Sequence, residues 1–207
     1  MTIALIIILL ISVIVHEISH GLMALVLGDK TAKNQGRLTL NPIKHIDLFG
    51  TILMPAILSI MSKMSGGAVP VFGYAKPVPV NLNNLKYKRL GMALVAICGP
   101  LSNLILALIA AIILIKFKLF QSIYTEFLIN VIQINILLIV FNIIPIPPLD
   151  GSRIVSWLLP KELAIQYDKL ENYGFIILIF ILQTNLISWM YVKSGKLFIQ
   201  IIDGFFN

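Results

Sequence analysis

The chain has 207 residues, of which 58% are hydrophobic and only 12% are charged. Soluble domains carry about 25% charged residues, so this composition excludes an ordinary soluble fold, which would lack the polar surface to cover its core. The single cysteine, Cys98, excludes an internal disulfide framework and a cysteine-rich zinc site. We attribute the net charge of +7 to basic residues flanking membrane helices and expect no nucleic-acid binding.

Five apolar segments follow one another along the chain, and several reach the roughly 17 to 25 residues with which a helix crosses a bilayer. They cover residues 3–27, 49–61, 90–115, 123–144 and 173–192. The sequence therefore predicts an all-α integral membrane protein, a polytopic helical bundle in the lipid bilayer. We expect one membrane-embedded domain over residues 1–207, with its core motifs in 12–154, an extra C-terminal helix at 172–192 and an amphipathic tail at 193–207.

The segment 49–61 is predicted to be re-entrant or short, because it has about thirteen residues and contains Pro55. If all five segments crossed, eight basic residues would lie on each side of the membrane. If 49–61 returns, twelve lie on one side, which the enrichment of Lys and Arg in cytoplasmic loops makes the cytoplasm. We thus expect about four full crossings and an N-terminus outside. Pro77 and Pro79 in the next connection predict short, β-like extended loops.

The first apolar segment contains HEISH at residues 16–20, which puts three ionisable side chains in a predicted membrane helix. Such groups are costly in lipid and usually functional. His16 and His20 lie on one helix face and can bind the same Zn²⁺. Glu17 is rotated about 100° from His16 and can flank the metal as a general base, as in zinc peptidases. A hydrogen-bonded histidine pair in a helical bundle is the structural alternative.

A catalytic zinc site needs a third protein ligand, and Asp150 is the best candidate. It follows three prolines in FNIIPIPPLDGSRI, where unwound backbone can line a cavity at membrane depth. His45 lies in a polar loop, where we expect an interfacial or solvated role, and Asp29 follows the first helix too closely to fold back onto it. For Asp150 to meet the histidines, the first and fourth segments should run in the same direction, so 49–61 should not cross.

The motifs HEISHG, GYAKPVPVN, GPLSNLILAL and FNIIPIPPLDGSRI together resemble the site-2 protease family of intramembrane zinc metalloproteases, peptidase family M50. The resemblance is to its compact prokaryotic members, without a PDZ or CBS domain. It implies one Zn²⁺ per chain held by His16, His20 and Asp150, with Glu17 as the catalytic base. It also implies hydrolysis of a peptide bond in or near a transmembrane segment of a membrane-protein substrate.

The resemblance extends to residues outside the proposed ligands. Asn142 matches the asparagine of the family's NxxPxPxLDG motif, which implies contact with the substrate or stabilisation of the oxyanion. Asn103 matches a Gly-Pro-x-x-Asn helix, for which we favour a packing role. Residues 73–81 match a loop of the family that lies near the path of the substrate. An extended segment there could pair with an unwound substrate strand, and the candidate substrate-binding residues are Gly73, Tyr74, Pro77, Pro79 and Asn81.

Two other functions are compatible with the sequence. A non-catalytic metal-binding membrane protein would tolerate Glu17→Gln. A metal transporter normally needs a chain of polar groups through the membrane, and outside the HEISH cluster the helices offer few.

Overall fold

The computed structural model describes residues 2–64, 73–120 and 124–206, and in these ranges the chain is helical with no β-strand. The described part of the chain forms nine α-helices: α1 (Thr2–Val26), α2 (Thr31–Asn34), α3 (Met54–Met64), α4 (Lys88–Lys116), α5 (Thr125–Asn142), α6 (Asp150–Leu158), α7 (Lys161–Asp168), α8 (Gly174–Leu182) and α9 (Leu186–Phe206). A π-helix, Leu48–Leu53, leads into α3. Short 3₁₀ turns cover Pro42–His45, Leu82–Asn84 and Lys169–Tyr173. The predicted all-α membrane fold is confirmed.

Three helices, α1, α4 and α5, are long and apolar enough to cross a membrane. A fourth candidate crossing is a broken one, in which Lys161–Leu182 and Leu186–Gly204 meet at an angle of 74°. These elements agree with about four crossings plus a short segment, since the apolar stretch at Leu48–Met64 is shorter than α1, α4 and α5. The predicted start of the fourth segment at residue 123 lies outside the described residues, and the helix itself begins at Thr125.

The C-terminal region differs from the predicted helix at 172–192 and tail at 193–207. The helix is interrupted at residues 183–185, and α9 then runs through residue 193 without a break. Thr184 explains the interruption, because its hydroxyl donates to Ile181 O and accepts from Leu186 N. A threonine that bonds local backbone in this way competes with the helical hydrogen bonds.

Helix α4 runs antiparallel to α1. At one end of the bundle Lys86 N donates to Leu27 O over 2.8 Å, and further along α1 the side chain of Asn103 reaches Ser12 O. The chain between α1 and α4 therefore leaves and re-enters the bundle at the same end. The segment 49–61 returns to the end from which it started, as the ligand geometry requires.

Helix α5 runs parallel to α1. Asn135 in the middle of α5 donates to Ser12 Oγ. Asp150, beyond the end of α5, lies beside His20, which is about two helical turns further along α1 than Ser12. The prediction that the first and fourth segments share a direction is confirmed. The prolines after α5 then turn the chain so that α6 begins at the level of the histidines.

Small residues of α4 make this packing close. Its buried positions include Gly91, Ala93, Ala96, Gly99, Ala107 and Ala111. Helices in lipid associate through such small residues, since apolar burial gives them no advantage over lipid contact. Large side chains on the outer face of α1, among them Ile3, Ile6 and Ile11, remain exposed and suit contact with acyl chains.

Candidate active site

Two helices bring three potential metal ligands together. Asp150 Oδ2, at the first residue of α6, lies 3.1 Å from His16 Nε2 and 3.4 Å from His20 Nε2 on α1. The three ligand atoms lie within 4.8 Å of one another, and among the described residues no other group of His, Cys, Asp and Glu has this geometry. Both histidines are buried and Asp150 is half-buried. The structure thus assembles the three residues that the sequence singled out.

The hydrogen bonds of the imidazoles orient their Nε2 atoms toward Asp150. His20 Nδ1 lies 2.8 Å from Val95 O, and since a carbonyl can only accept, Nδ1 carries the hydrogen. His16 Nδ1 donates in the same way to Asn103 Oδ1 over 2.6 Å. A neutral imidazole with a hydrogen on Nδ1 presents a lone pair on Nε2. Both rings are therefore held in the form that ligates a metal through Nε2.

The donor set fits a zinc ion. Asp150 Oδ2 is buried and has no hydrogen-bond partner in the described structure, although two imidazole nitrogens lie beside it. With lone pairs on both Nε2 atoms, three electron-rich atoms face each other, an arrangement that is costly unless a cation lies between them. Two imidazoles and one carboxylate are a ligand set of catalytic zinc sites.

Two glycines allow the elements of the site to approach each other. A Cβ on Gly99 of α4 would lie 2.5 Å from Cε1 of both His16 and His20. A Cβ on Gly151 would lie 2.2 Å from Ile143 O at the end of α5. Only a residue without a side chain fits these positions, so Gly99 and Gly151 set how closely α4 and α6 approach their neighbours.

Glu17 is held by the backbone of an extended segment, residues 73–81. Its Oε2 accepts a hydrogen bond of 2.7 Å from Val78 N. Alternate residues of the same segment donate to other parts of the chain, Tyr74 N to Gly50 O and Lys76 N to His45 O. One edge of the extended segment is therefore bonded within the protein. The third of these donors, Val78 N, fixes the Glu17 carboxylate of the HEISH motif.

Arg37 anchors this segment next to Glu17. Its guanidinium Nη2 donates to Lys76 O over 2.7 Å and to Pro77 O over 3.3 Å, while the residue is only 6% exposed. The two carbonyls directly precede the Val78 N–H that reaches Glu17. A buried arginine thereby fixes the backbone that holds the proposed base.

Asp29 anchors the far end of the segment. Gly28, at φ +101°, ends α1 and turns the chain so that Asp29 is fully buried. The Asp29 carboxylate accepts from Asn81 N over 2.6 Å and from Asn84 Nδ2 over 3.1 Å. Burial by itself raises the pKa of Asp29, but these bonds and those from Thr31 outweigh it and hold the pKa below its usual 3.8.

The structure does not bring Asn142 into the cluster. It is the last residue of α5, and its Nδ2 donates to Leu138 O over 3.0 Å, a bond within its own helix. Asn81 likewise serves local structure, since its Oδ1 accepts from Asn83 N and begins a 3₁₀ turn. The roles proposed for both residues toward a substrate stay predictions.

The remaining residues of the predicted substrate loop lie along the extended segment. Gly73 packs against Pro55, and the Tyr74 ring covers Gly50. Tyr74 also borders an apolar cavity of about 380 Å³ between the π-helix, α3 and the start of α8, lined by Phe49, Met54, Ile57, Leu58, Tyr74 and Phe175. Pro77 and Pro79 lie on either side of Val78, and their own roles toward a substrate are untested.

The solvated role expected for His45 is wrong, and its interfacial role stays a prediction. The residue is 2% exposed, and its Nε2 lies 2.8 Å from Thr39 O. Its carbonyl accepts from Lys76 N. The polar loop 28–47 packs under the extended segment, so a histidine that looked solvated in the sequence is buried there.

Two asparagines contribute more than the sequence indicated. Asn103, for which packing was favoured, accepts from His16 Nδ1, and its Nδ2 donates to Asn135 Oδ1 over 2.8 Å. Asn135 was not singled out at all. The available signal was an amide in the apolar stretch of α5, because buried polar groups in membrane helices need partners.

The model of Peptidase family M50 matches residues 4–124 and 116–183 of the chain. The chain belongs to this family. It is 40% identical to "Putative zinc metalloprotease YwhC" of Bacillus subtilis over 203 residues, 93% of this chain and 87% of that protein. It is 24% identical to "Putative zinc metalloprotease Rip2" of Mycolicibacterium smegmatis over 90% of this chain and 72% of that protein.

A shorter match joins the chain to "Putative zinc metalloprotease MJ0611" of Methanocaldococcus jannaschii. It is 36% identical over 63 residues, 30% of this chain and 32% of that protein. No solved structure matches the chain significantly. The family membership therefore rests on the family model and on the match to YwhC.

Proposed function

We propose that this M50 protein is an intramembrane zinc metalloprotease, a single membrane-embedded domain that hydrolyses a peptide bond in or near a transmembrane segment of a membrane protein. The observation that carries the proposal is that Asp150 Oδ2 lies beside Nε2 of His16 and of His20. Both histidines belong to a helix long enough to cross a membrane. The names of the long relatives, both called zinc metalloproteases, agree with it.

In this proposal His16, His20 and Asp150 hold one Zn²⁺ per chain. The chemistry that a bound zinc ion supplies is Lewis-acid activation of water and of the scissile carbonyl. Three protein ligands leave a fourth position open for this purpose, as catalytic zinc sites require. The two Nδ1 hydrogen bonds keep the Nε2 atoms of both imidazoles oriented toward Asp150, where the metal would lie.

Glu17 is the proposed general base. It is next to a ligand histidine in HEISH but rotated away from it on the helix, so it can take a proton from the attacking water and deliver it to the leaving nitrogen. The Val78 N–H occupies its Oε2 and leaves Oε1 available for this transfer. Asn142 remains the candidate for stabilising the oxyanion, and its amide must then exchange Leu138 O for the substrate.

We infer that the active site opens toward the cytoplasm and that the N-terminus is outside. Residues 28–89 and 143–173, which connect helices at the metal end of the bundle, carry twelve of the sixteen basic residues of the chain. Cytoplasmic loops are enriched in Lys and Arg. Water would reach Glu17 from the polar loops at this end.

The extended segment 73–81 is the proposed substrate-binding strand. Its edge with Tyr74, Lys76 and Val78 is bonded within the protein, so only the opposite edge can receive an unwound substrate. That edge contains Pro77 and Pro79, which have no N–H. The Pro77 carbonyl on that edge already accepts from Arg37 over 3.3 Å. A substrate strand would therefore meet chiefly the remaining backbone carbonyls there, and its own N–H groups would supply the hydrogen bonds.

The test uses purified protein in detergent with a panel of fluorogenic transmembrane peptides. We expect the wild type to bind zinc and cleave at least one peptide. Glu17→Gln should keep zinc and lose cleavage by 10²-fold or more, since general base catalysis contributes roughly 10²- to 10⁴-fold. Asp150→Ala should lose zinc together with cleavage.

Exposed carboxylates serve as matched controls, Glu126→Gln for the base and Asp203→Ala for the ligand. Both variants should bind zinc and cleave like the wild type. Cleavage that survives in Glu17→Gln would contradict the proposed base. If cells with the protein took up metal, and cells with the Glu17→Gln variant took it up equally well, the result would instead favour a transporter.

A further inference from the structure

We propose that Asn135, in the middle of α5, is a positioning residue for the metal centre and acts on His16 through Asn103. The inference rests on the proposed zinc site but concerns a residue to which no role in it has been given. Asn135 is fully buried, and so is Asn103. Together they form a chain of hydrogen bonds from the backbone of α5 to the imidazole of His16.

The direction of this chain of hydrogen bonds is set at its α5 end. Asn135 Nδ2 donates to Val131 O over 2.8 Å, and because a carbonyl only accepts, this end of the amide must be the nitrogen. The same Nδ2 also lies 3.0 Å from Ser12 Oγ. Asn135 therefore presents its oxygen to the other neighbour, Asn103.

The orientation of the Asn135 amide then determines which atom of Asn103 donates and which accepts. Asn103 must donate through Nδ2 to Asn135 Oδ1, 2.8 Å away, so its own oxygen points to the opposite side. There Oδ1 lies 2.6 Å from His16 Nδ1, which must consequently carry the hydrogen. His16 Nε2 is thereby left with a lone pair facing Asp150, 3.1 Å away.

Burial makes this arrangement hard to reverse. If Asn103 rotated by half a turn, its nitrogen would face His16 Nδ1–H and its oxygen would face Asn135 Oδ1. Both pairs would then be mismatched in a place without solvent, and unsatisfied buried polar groups are costly. An Asn103 without Asn135 keeps only the long bond of 3.4 Å to Ser12 O as a directional constraint.

His20 does not depend on this network. Its Nδ1 bonds Val95 O, a backbone carbonyl that no side-chain substitution removes. Loss of Asn135 should therefore loosen one of the two imidazoles and leave the other in place. The expected consequence is weaker zinc binding rather than its abolition.

The experiment measures zinc affinity of the full-length protein by competition with a chelator. Asn135→Leu, which keeps the number and branching of the side-chain heavy atoms and removes both hydrogen-bonding groups, should raise the Kd for Zn²⁺ by about 10- to 100-fold, the usual effect of losing the hydrogen bonds that support a ligand histidine. The Co²⁺-substituted variant should also show an altered absorption spectrum, because His16 no longer has a fixed orientation. Asn135→Ser, which can still donate to Val131 O and accept from Asn103, should recover part of the affinity.

The control is the adjacent residue Ile136, which is also buried but packs in an apolar cluster with Ala107 and Phe198. Ile136→Ala should lower the Tm and leave the zinc Kd within threefold of the wild-type value. An unchanged Kd in Asn135→Leu, or an equal loss of affinity in Ile136→Ala, would overturn the inference. Absence of zinc binding by the wild type would overturn the proposed function itself, which separates the two failures.

Discussion

Gly99→Ala is the substitution that most directly tests how closely α4 must approach the histidines. The added Cβ would lie 2.5 Å from Cε1 of both His16 and His20 and 2.6 Å from His16 Nε2. Ordinary van der Waals contact begins at 3.4 Å. The rings, or α4 itself, must therefore move by about 0.9 Å.

The rings cannot make this movement freely, because each is fixed by a hydrogen bond through Nδ1. Those bonds are 2.6 Å for His16 and 2.8 Å for His20, and a shift of the required size along them would stretch both to the limit of hydrogen bonding or beyond. We expect the Kd for zinc to rise about 10- to 100-fold. Cleavage should fall on the order of 10²-fold, the cost of misplacing reacting groups by about 1 Å.

Zinc affinity and peptide cleavage are measured on the same preparations, with Gly195→Ala in α9 as the control. A Cβ at Gly195 meets nothing within 4 Å, so that variant gains the same helix propensity, about 1 kcal/mol, without a clash. It should bind zinc and cleave like the wild type. Normal zinc affinity and cleavage in Gly99→Ala would refute the reasoning that the histidines have no room to move.

Two further predictions concern the anchors of the extended segment. Arg37→Met should leave zinc binding unchanged and lower kcat about 10-fold, a fraction of what a general base contributes, whereas Arg153→Met, which breaks a surface pair with Glu171, should change neither. Asp29→Asn should destabilise the protein by about 1–3 kcal/mol, because one of the two acceptor oxygens of a fully buried side chain becomes an NH₂ group that faces hydrogen-bond donors. Since the pKa of Asp29 is held below 3.8, its contribution is complete above that pH and is lost as the pH falls through the lower native pKa, so unfolding curves of wild type and Asp29→Asn should converge in acid.

The sequence was sufficient for the membrane fold and for the three residues that converge. Long apolar segments have few alternatives to crossing helices, and a His-x-x-x-His spacing fixes two side chains on one face whatever surrounds them. The return of segment 49–61 also followed, because charge distribution and ligand geometry gave the same answer. In each case the prediction depends on neighbouring residues, such as the length of an apolar segment or a residue spacing, or on a count of charges along the chain.

Contacts between segments distant in the sequence could not be predicted from it. Nothing in the polar loop indicated that His45 would be buried or that Arg37 would bond two carbonyls beyond residue 75. At the break before α9 the Thr184 hydroxyl bonds Ile181 O and Leu186 N. A threonine in an unbroken helix can also bond the carbonyl of the preceding turn, so the residue type alone did not predict the break. Such features depend on which backbone groups become neighbours, and residue type alone does not determine that.

The partner of Glu17 shows this limit most clearly. Its hydrogen bond comes from a backbone N–H, a group that every residue except proline carries, so no side-chain pattern could reveal it. Pro77 and Pro79 do make the position specific, because they leave Val78 as the only backbone donor among residues 77–79. The prolines that predicted an extended loop thereby also restrict which N–H of that loop can hold the proposed base. The orientation of Glu17 thus depends on the path of the backbone, and the buried side chains of Arg37 and Asp29 fix that path from either end.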